Sequence, residues 1–350
     1  MSFEPSTTPT RELRVGVVGA GVMGADHVSR LTSAVTGASV TAIIEPDEGR
    51  ANAAARAAPG SRTFAQLEDA LETGSVDALL VASPARFHEA AVMLALEAEI
   101  PTLCEKPLTE EPESAWRLIE AEQRIGRRLV QVGFMRRYDP EYTALRQLVV
   151  SGTAGELLMM HCTHRAPSVP SEFTQEMRIT DSAAHEFDII PWLAGSPIVN
   201  LEVRIGKTTT RAGVGVREPM LLLIELASRI LVDLEVNLSS QYGYQIGADA
   251  VFESGVARLG QPSGLEFWHA GSRRSEVAQS FTLRFHEAYV RQLQAWVDAT
   301  AVGQTVGPSM WDGFAVAVAC GAGVRALVEN RTTAVELPPV PELYREPGRL

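Results

Sequence analysis

The feature that most constrains the fold lies near the amino terminus. A short β-branched run, Val15 to Val18, leads directly into a glycine-rich turn, and a helical pattern follows to about Val35. Glycines there let the backbone bend tightly and approach a pyrophosphate, whose charge is stabilised at the helix amino terminus. The turn predicts a dinucleotide-binding unit because strand, turn and helix occur in the required order. Its six residues are Gly19, Ala20, Gly21, Val22, Met23 and Gly24.

Residues 14–135 repeat this alternation of apolar runs and amphipathic stretches, which is typical of βαβ units in a parallel sheet. We therefore predict an α/β domain of the Rossmann type, a doubly wound parallel sheet. The predicted helices include Phe87 to Ala98 and Glu113 to Ile125. The predicted strands are Val15 to Val18, Val40 to Ile44, Ala78 to Val81, Thr102 to Cys104 and Leu129 to Val132.

The second half of the chain has strand-like runs separated by polar or glycine-containing turns, followed by two helical patterns. Residues 136–337 are therefore predicted to form an α+β domain with a large open, mostly antiparallel sheet, and residues 1–13 and 338–350 to form tails, the first of them disordered. The predicted helices are Arg284 to Val302 and Ser309 to Glu329. The predicted strands are Gly155 to Thr163, Ile198 to Thr209, Met220 to Leu226, Ile230 to Asn237 and Ala250 to Ala257.

Composition excludes several classes of partner. A length of 350 residues favours two domains, and a net charge of −12 disfavours nucleic acid or an anionic membrane as a ligand. Cys104, Cys162 and Cys320 are odd in number and lack metal-ligand spacing, which is typical of reduced thiols. This cysteine spacing predicts no metal site. With no signal peptide and no run of 18 apolar residues, we expect a cytoplasmic protein.

Glu45 follows the second predicted strand, 21 positions after Gly24. A carboxylate at about this spacing accepts hydrogen bonds from the adenosine ribose and would repel a 2′-phosphate, so NAD is favoured. The alternative is a solvated charge in a turn, and Arg50 nearby leaves NADP open.

Chemistry-bearing residues also follow other strands or share a helix face. Ser83 and Lys106 each follow a buried-looking run, and ligands bind at such carboxyl ends of strands. Asp181 and His185 are four apart, a spacing that places both on one helix face. The alternatives are a surface lysine, a helix N-cap at Asp181 and a core histidine at His185.

Three segments together resemble the Gfo/Idh/MocA oxidoreductase family: Gly19 to His27, Glu105-Lys106-Pro107 and Asp181 to Asp188. The resemblance runs from about Arg14 to Leu337, and longer stretches such as Gly133 to Pro140 are most similar to members that act on inositol. It implies NAD as cofactor, held in part by Ser83, His88 and Glu105. It also implies a homotetramer formed through the open face of the second sheet.

The resemblance further implies oxidation of a secondary hydroxyl of a cyclic polyol, most simply of myo-inositol to its 2-keto product. Lys106, Asp181 and His185 would be the catalytic group, with His185 as the base because a neutral imidazole accepts a proton near neutral pH. Asp181 would orient His185, and Lys106 would stabilise the developing alkoxide. The implied polyol-binding residues are Arg136, His164, Ser182 and Tyr244.

Ala166 departs from the family pattern, because members that act on myo-inositol usually carry asparagine there. A methyl group cannot bond a ring hydroxyl, and one lost contact costs about 1–3 kcal/mol. Another inositol isomer or a pyranose is therefore an alternative substrate. Arg136, His164 and Tyr244 could equally be a surface charge, a cross-strand polar residue and an ordinary strand tyrosine. An NAD-sensing regulator and a hydrolase that recycles bound NAD are the alternatives of other classes.

Overall fold

The computed structural model describes residues 12–260 and 266–345, which divide into two compact units. The first unit holds the described residues up to Gly133 together with Val290–Met310, and the second holds Phe134–Tyr289 and the described residues from Trp311 onward. Most of the predicted tails, residues 1–11 and 346–350, lies outside the described residues. Of the remainder, Leu13 begins the first strand and Tyr344 is buried.

The described part of the first unit contains a parallel six-stranded sheet with the strand order β3-β2-β1-β4-β5-β6. Three strands are buried at every residue, the burial that helices on both faces produce. Its strands are β1 Leu13–Val18, β2 Ala38–Ile44, β3 Arg62–Phe64, β4 Ala78–Val81, β5 Thr102–Glu105 and β6 Val130–Gly133. Its helices are α1 Val22–Ser33, α2 Glu48–Ala57, α3 Leu67–Glu72, α4 His88–Glu97 and α5 Pro112–Ile125. The predicted Rossmann arrangement is confirmed.

The described part of the second unit contains a mixed seven-stranded sheet in which only the β7–β10 pair is parallel. Burial alternates along β9 and β10, so one face is covered and the other is open. The strands are β7 Leu157–Arg165, β8 Ile198–Ile205, β9 Met220–Leu226, β10 Leu231–Asn237, β11 Gln245–Phe252, β12 Gly255–Leu259 and β15 Thr333–Ala334, with a separate hairpin of β13 Phe267–His269 and β14 Ser272–Arg274. The predicted open, mostly antiparallel sheet is confirmed.

Five further helices follow in the chain after β6: α6 Pro140–Ser151, α7 Ala184–Ala194, α8 Phe281–Arg284, α9 His286–Ala301 and α10 Met310–Glu329. Short 3-10 turns form at Ala85–Phe87, Met135–Tyr138 and Glu342–Tyr344, and a π-helical turn forms at Arg178–Ala183. Among the described residues, α10 alone is long and apolar enough to cross a membrane by composition. Half of its apolar window is buried.

Two predictions of organisation differ from the structure. The run Ala250 to Ala257 is not one strand: β11 ends at Phe252 and β12 begins at Gly255, because the polar residues between them form a turn. Residues 290–310, predicted to belong to the second domain, pack with the first unit. The physical reason is burial, since Leu293, Trp296 and Val297 join the core built around β1 and α1.

Candidate functional site

The glycine turn of the first unit connects β1 to the 12-residue helix α1. Gly19 has φ +90°, and a Cβ there would lie 2.7 Å from the backbone of Ser83. A Cβ on Gly24 would lie 1.9 Å from the Gly19 carbonyl oxygen, whereas one on Gly21 would meet no atom within 4 Å. The outer glycines therefore permit close backbone packing, and the middle one leaves open space beside the exposed amino terminus of α1. A pyrophosphate fits this arrangement.

Glu45 follows β2 and lies against the glycine turn. Its Oε2 accepts a hydrogen bond from the Ala20 N–H at 2.9 Å, and its Oε1 accepts from the Asp47 N–H at 3.0 Å and from Arg50 at 2.8 Å. Burial alone would raise the pKa of Glu45, but Arg50 and the two N–H donors together lower it. A carboxylate has about four acceptor positions, so one on Oε2 is left for a ribose hydroxyl.

The loops after β4 and β5 carry the remaining residues predicted for the cofactor. The Ser83 hydroxyl is buried and has no hydrogen-bond partner among the described residues. A hydroxyl can donate and accept, and a bound dinucleotide would satisfy this one. The ring nitrogens of His88 lie 2.8 Å from the Pro107 carbonyl and 2.7 Å from the Ser83 carbonyl. His88 therefore joins the two loops through contacts to the main chain.

Glu105, at the end of β5, contacts a residue for which the sequence predicted no role. Its Oε1 lies 2.7 Å from His27 Nε2 on α1, and its Oε2 accepts the Lys106 N–H at 3.0 Å. His27 is fully buried, so the pair ties the glycine-turn helix to the loop that carries Lys106. The first unit thus brings together the glycine turn and every residue predicted to hold the cofactor.

In the second unit, Asp181 and Ser182 lie in the π-helical turn and His185 lies in the first turn of α7. Asp181 and His185 are half-buried whereas the three residues between them are buried, so the two share one side of the helix. The helix is already formed at Arg178, so Asp181 is not its N-cap. Single π-helical turns within α-helices occur frequently at functional sites.

Arg178 fixes the start of this turn through a buried ion pair. Its Nε donates to Glu218 Oε2 at 3.1 Å, and its Nη1 donates to the carbonyls of Phe173 and Thr174. Glu218 is fully buried and also accepts the Leu238 N–H at 3.0 Å. These contacts hold the chain segment that carries Asp181 to the ends of two strands.

A second buried polar cluster contains Arg136, His164 and Tyr244, three residues predicted to bind the polyol, together with Glu186. Arg136 donates to Glu186 in an ion pair, and His164 Nδ1 lies 3.0 Å from Glu186 Oε2. The His164 and Tyr244 rings meet edge to face with centroids 6.1 Å apart. Burial raises the pKa of Tyr244 to about 12, although Arg136 opposes the shift. Arg136 is not a surface charge, since 1% of its area is exposed.

Sequence reasoning assigned no role to Glu186, although it adjoins His185. One signal could have indicated it. Arg136, a predicted site residue, lies in an apolar stretch, and a buried arginine requires a buried carboxylate as its counter-ion. A separate cavity of about 710 Å³ in the second unit is lined by Arg137, Asp188 and Trp192, among others, and by none of the predicted site residues.

Comparison with known proteins identifies the family. Residues 13–134 match the model described as "Oxidoreductase family, NAD-binding Rossmann fold", and residues 142–258 match the GFO/IDH/MocA C-terminal domain. An inositol 2-dehydrogenase of Corynebacterium glutamicum is 52% identical over 96% of this chain and 99% of its own length. One of Leifsonia xyli is 55% identical over 92% of this chain and 95% of its own. The chain therefore belongs to the Gfo/Idh/MocA oxidoreductase family and is an NAD-dependent dehydrogenase.

Solved structures give the same result for the fold. The myo-inositol dehydrogenase of Lactobacillus casei, in complex with NAD(H) and myo-inositol, superimposes with a TM-score of 0.92 at 30% identity and covers 95% of this chain and 100% of its own. A scyllo-inositol dehydrogenase from the same organism shares the fold at 22% identity, with a TM-score of 0.85 and coverage of 93% and 99%.

Proposed function

We propose that this chain oxidises one secondary hydroxyl of myo-inositol to the ketone, 2-keto-myo-inositol, and passes the hydride to NAD. The observation that carries the proposal is its similarity, over nearly the full length of both chains, to inositol 2-dehydrogenases. A buried cluster rich in hydrogen-bonding groups supports it, since a polyol needs many directed hydrogen bonds.

In the proposed mechanism, NAD supplies a hydride acceptor when bound to the glycine turn. His185 accepts the proton of the reacting hydroxyl, and Asp181 orients the imidazole and stabilises its protonated form. Lys106 donates a hydrogen bond to the same oxygen and favours the alkoxide charge that develops as the carbon loses hydride. The alcohol thus loses one proton and one hydride, and a ketone remains. Arg136, His164, Ser182 and Tyr244 hold the other ring hydroxyls.

The decisive experiment follows absorbance at 340 nm with NAD or NADP and a panel of myo-, scyllo- and D-chiro-inositol, glucose and glycerol. We expect NADH formation with an inositol and a preference for NAD. His185→Ala should abolish turnover while leaving the Kd for NAD nearly unchanged, because His185 is not among the residues proposed to hold the cofactor. Near-normal turnover by that variant would refute its role as the base, and silence of the wild-type protein across the panel would refute the function.

A second candidate substrate, another inositol isomer or a pyranose, is favoured by one observation. Ala166 is buried at the end of β7, directly after Arg165, and both of its backbone polar groups are bonded to neighbouring segments. The position therefore offers a ligand only a methyl group, in place of the amide that the family resemblance implies. The relative rates within the panel distinguish this substrate from myo-inositol.

We also propose a cytoplasmic homotetramer that acts in inositol catabolism. The open face of the second sheet supports the assembly, since Leu221, Leu223 and Leu231 are exposed on adjacent strands β9 and β10. Their cross-strand neighbours Glu225, Asp233 and Glu235 are acidic, so this face mixes apolar and charged side chains, and association through it would bury the leucines. The three cysteines, Cys104, Cys162 and Cys320, are buried and form no disulfide with one another, which fits a reducing compartment. Light scattering measures the assembly, and Leu223→Asp should dissociate it; a monomeric wild-type protein would refute it.

A further inference from the structure

Two neighbouring ion pairs join the same two elements of the second unit. Arg136 and Arg137, in the 3-10 turn Met135–Tyr138, pair with Glu186 and Asp188 of α7. All four side chains are at least nine-tenths buried. The Arg137–Asp188 pair lines the separate 710 Å³ cavity, whereas the Arg136–Glu186 pair belongs to the polar cluster with His164 and Tyr244. Both are arginine–carboxylate pairs, but they differ in surroundings, and Arg137 also pairs with Asp312 at 2.8 Å.

Glu186 determines which nitrogen of His164 carries the proton. Its Oε2 lies 3.0 Å from His164 Nδ1, and a carboxylate only accepts hydrogen bonds, so Nδ1 carries the hydrogen and donates. Arg136 Nη2 lies farther from the same nitrogen, at 3.4 Å, and as a donor it cannot bond a nitrogen that already carries hydrogen. Among the described residues the hydrogen bonds of the His164 ring are confined to Nδ1. In the neutral ring, Nε2 is therefore an acceptor.

We propose that Glu186 is a positioning residue that sets polyol specificity by holding Arg136 as a donor and His164 Nε2 as an acceptor. This inference rests on the proposed function. A single carboxylate makes both assignments, because one oxygen holds the guanidinium and the other holds the imidazole.

The ligand group that complements this pair is a hydroxyl, which both donates and accepts. Arg136 Nε is buried and has no hydrogen-bond partner among the described residues, so the guanidinium retains a donor for a ligand. A ring carbon that lacks its hydroxyl would leave the Arg136 donor and the His164 Nε2 acceptor buried and unpaired. Buried polar groups left unpaired in this way make a site reject deoxy analogues strongly. Glu186 thus makes the cluster select a hydroxylated ring position.

The test compares Glu186→Gln with Asp188→Asn, which removes the neighbouring buried carboxylate between the same two elements. Each is assayed with NAD at saturation on myo-inositol and on a set of mono-deoxy-inositols. We expect the wild-type protein and Asp188→Asn to reject at least one deoxy analogue by about 10- to 100-fold in kcat/KM. In Glu186→Gln that ratio should fall below about threefold, with KM for myo-inositol raised and the Kd for NAD unchanged.

A purely structural role gives a different result, because it lowers kcat/KM for all substrates by one common factor. Unchanged ratios in Glu186→Gln, or an equal collapse in Asp188→Asn, would overturn the proposal. Glu186→Asp keeps the charge on a shorter side chain and should restore part of the discrimination. If the wild-type protein oxidises no inositol, the proposed function fails instead, which keeps the two failures distinct.

A measurement on the wild-type protein covers the case in which Glu186→Gln does not fold. Neutron diffraction of crystals exchanged into deuterium oxide locates the deuteron on the His164 ring. We expect a deuteron on Nδ1 directed at Glu186 and none on Nε2. A deuteron on Nε2, with or without one on Nδ1, would overturn the assignment.

Discussion

Replacing Glu45 with glutamine tests how the first unit recognises its cofactor. The carboxylate accepts three N–H donors, from Ala20 at 2.9 Å, Asp47 at 3.0 Å and Arg50 at 2.8 Å, and offers one more acceptor position to the ribose. An amide has a single oxygen, so its NH₂ group must face one of these donors. The variant therefore loses the charge and the vacant acceptor together.

The magnitude follows from the bonds that change on binding. The unmet N–H donor is present with and without ligand, so it lowers the stability of the protein more than its affinity. The lost ribose bond was made to a charged acceptor and contributes about 1.5–3 kcal/mol, which raises the Kd for NAD about 10- to 150-fold. NADP should lose less, because the negative charge that repels a 2′-phosphate is also removed and Arg50 is released from its ion pair with Glu45.

Isothermal titration of the wild-type protein and Glu45→Gln with NAD and NADP measures both effects. Glu48→Gln is the matched control, since Glu48 is an exposed carboxylate three positions further along the chain. A Kd for NAD within about threefold of the wild-type value, with no change in preference between the cofactors, would show that Glu45 is only a turn residue.

Two further predictions concern the second unit. Ala166→Asn should shift the ratio of kcat/KM for myo- over scyllo-inositol by about 5- to 150-fold, the effect of regaining one contact of about 1–3 kcal/mol, and an unchanged ratio would show that this position does not contact the polyol. Burial raises the pKa of Glu218, but Arg178 and other donors lower it overall, so its stabilising contribution is present above the usual carboxyl pKa and is lost as the pH falls through the lowered value. Glu218→Gln should therefore lower the free energy of unfolding by about 3–5 kcal/mol at pH 7. The stability of the variant should also fall less steeply with decreasing pH, which urea unfolding at pH 7, 5 and 3 measures; equal slopes of unfolding free energy against pH would contradict this.

Much of the fold could be predicted because the burial of a strand determines the pattern of apolar and polar residues along it. The parallel strand β4 is covered on both faces and reads as a continuous apolar run, whereas the half-covered β10 reads largely as an alternation of apolar and polar residues. Local patterns failed where two strands follow each other after a two-residue turn, as at Phe252 and Gly255. They also failed for residues 290–310, since periodicity identifies a helix but not the sheet against which it packs.

Candidate site residues could be proposed from the sequence where a reactive residue directly follows a strand or shares a helical spacing with another, as Lys106 and His185 do. The partners of such residues could not, because each pair is distant in the chain: Arg136 and Glu186 are 50 positions apart, and His27 and Glu105 are 78 apart. No local pattern records which carboxylate neutralises which buried cation. Only the fold supplies that pairing.

The two polar sets identified by these pairings should act independently, which makes their proposed roles separable. Glu45 contacts Ala20, Asp47 and Arg50, whereas Glu186 contacts Arg136 and His164, so the two carboxylates share no partner. Free-energy changes at sites without shared partners usually add to within about 0.5 kcal/mol. Glu45→Gln should raise the Kd for NAD without altering discrimination between myo-inositol and its deoxy analogues, and Glu186→Gln should do the reverse. The double variant should show both losses at full size. A coupling energy well above about 0.5 kcal/mol would mean that cofactor and polyol are recognised by one connected network.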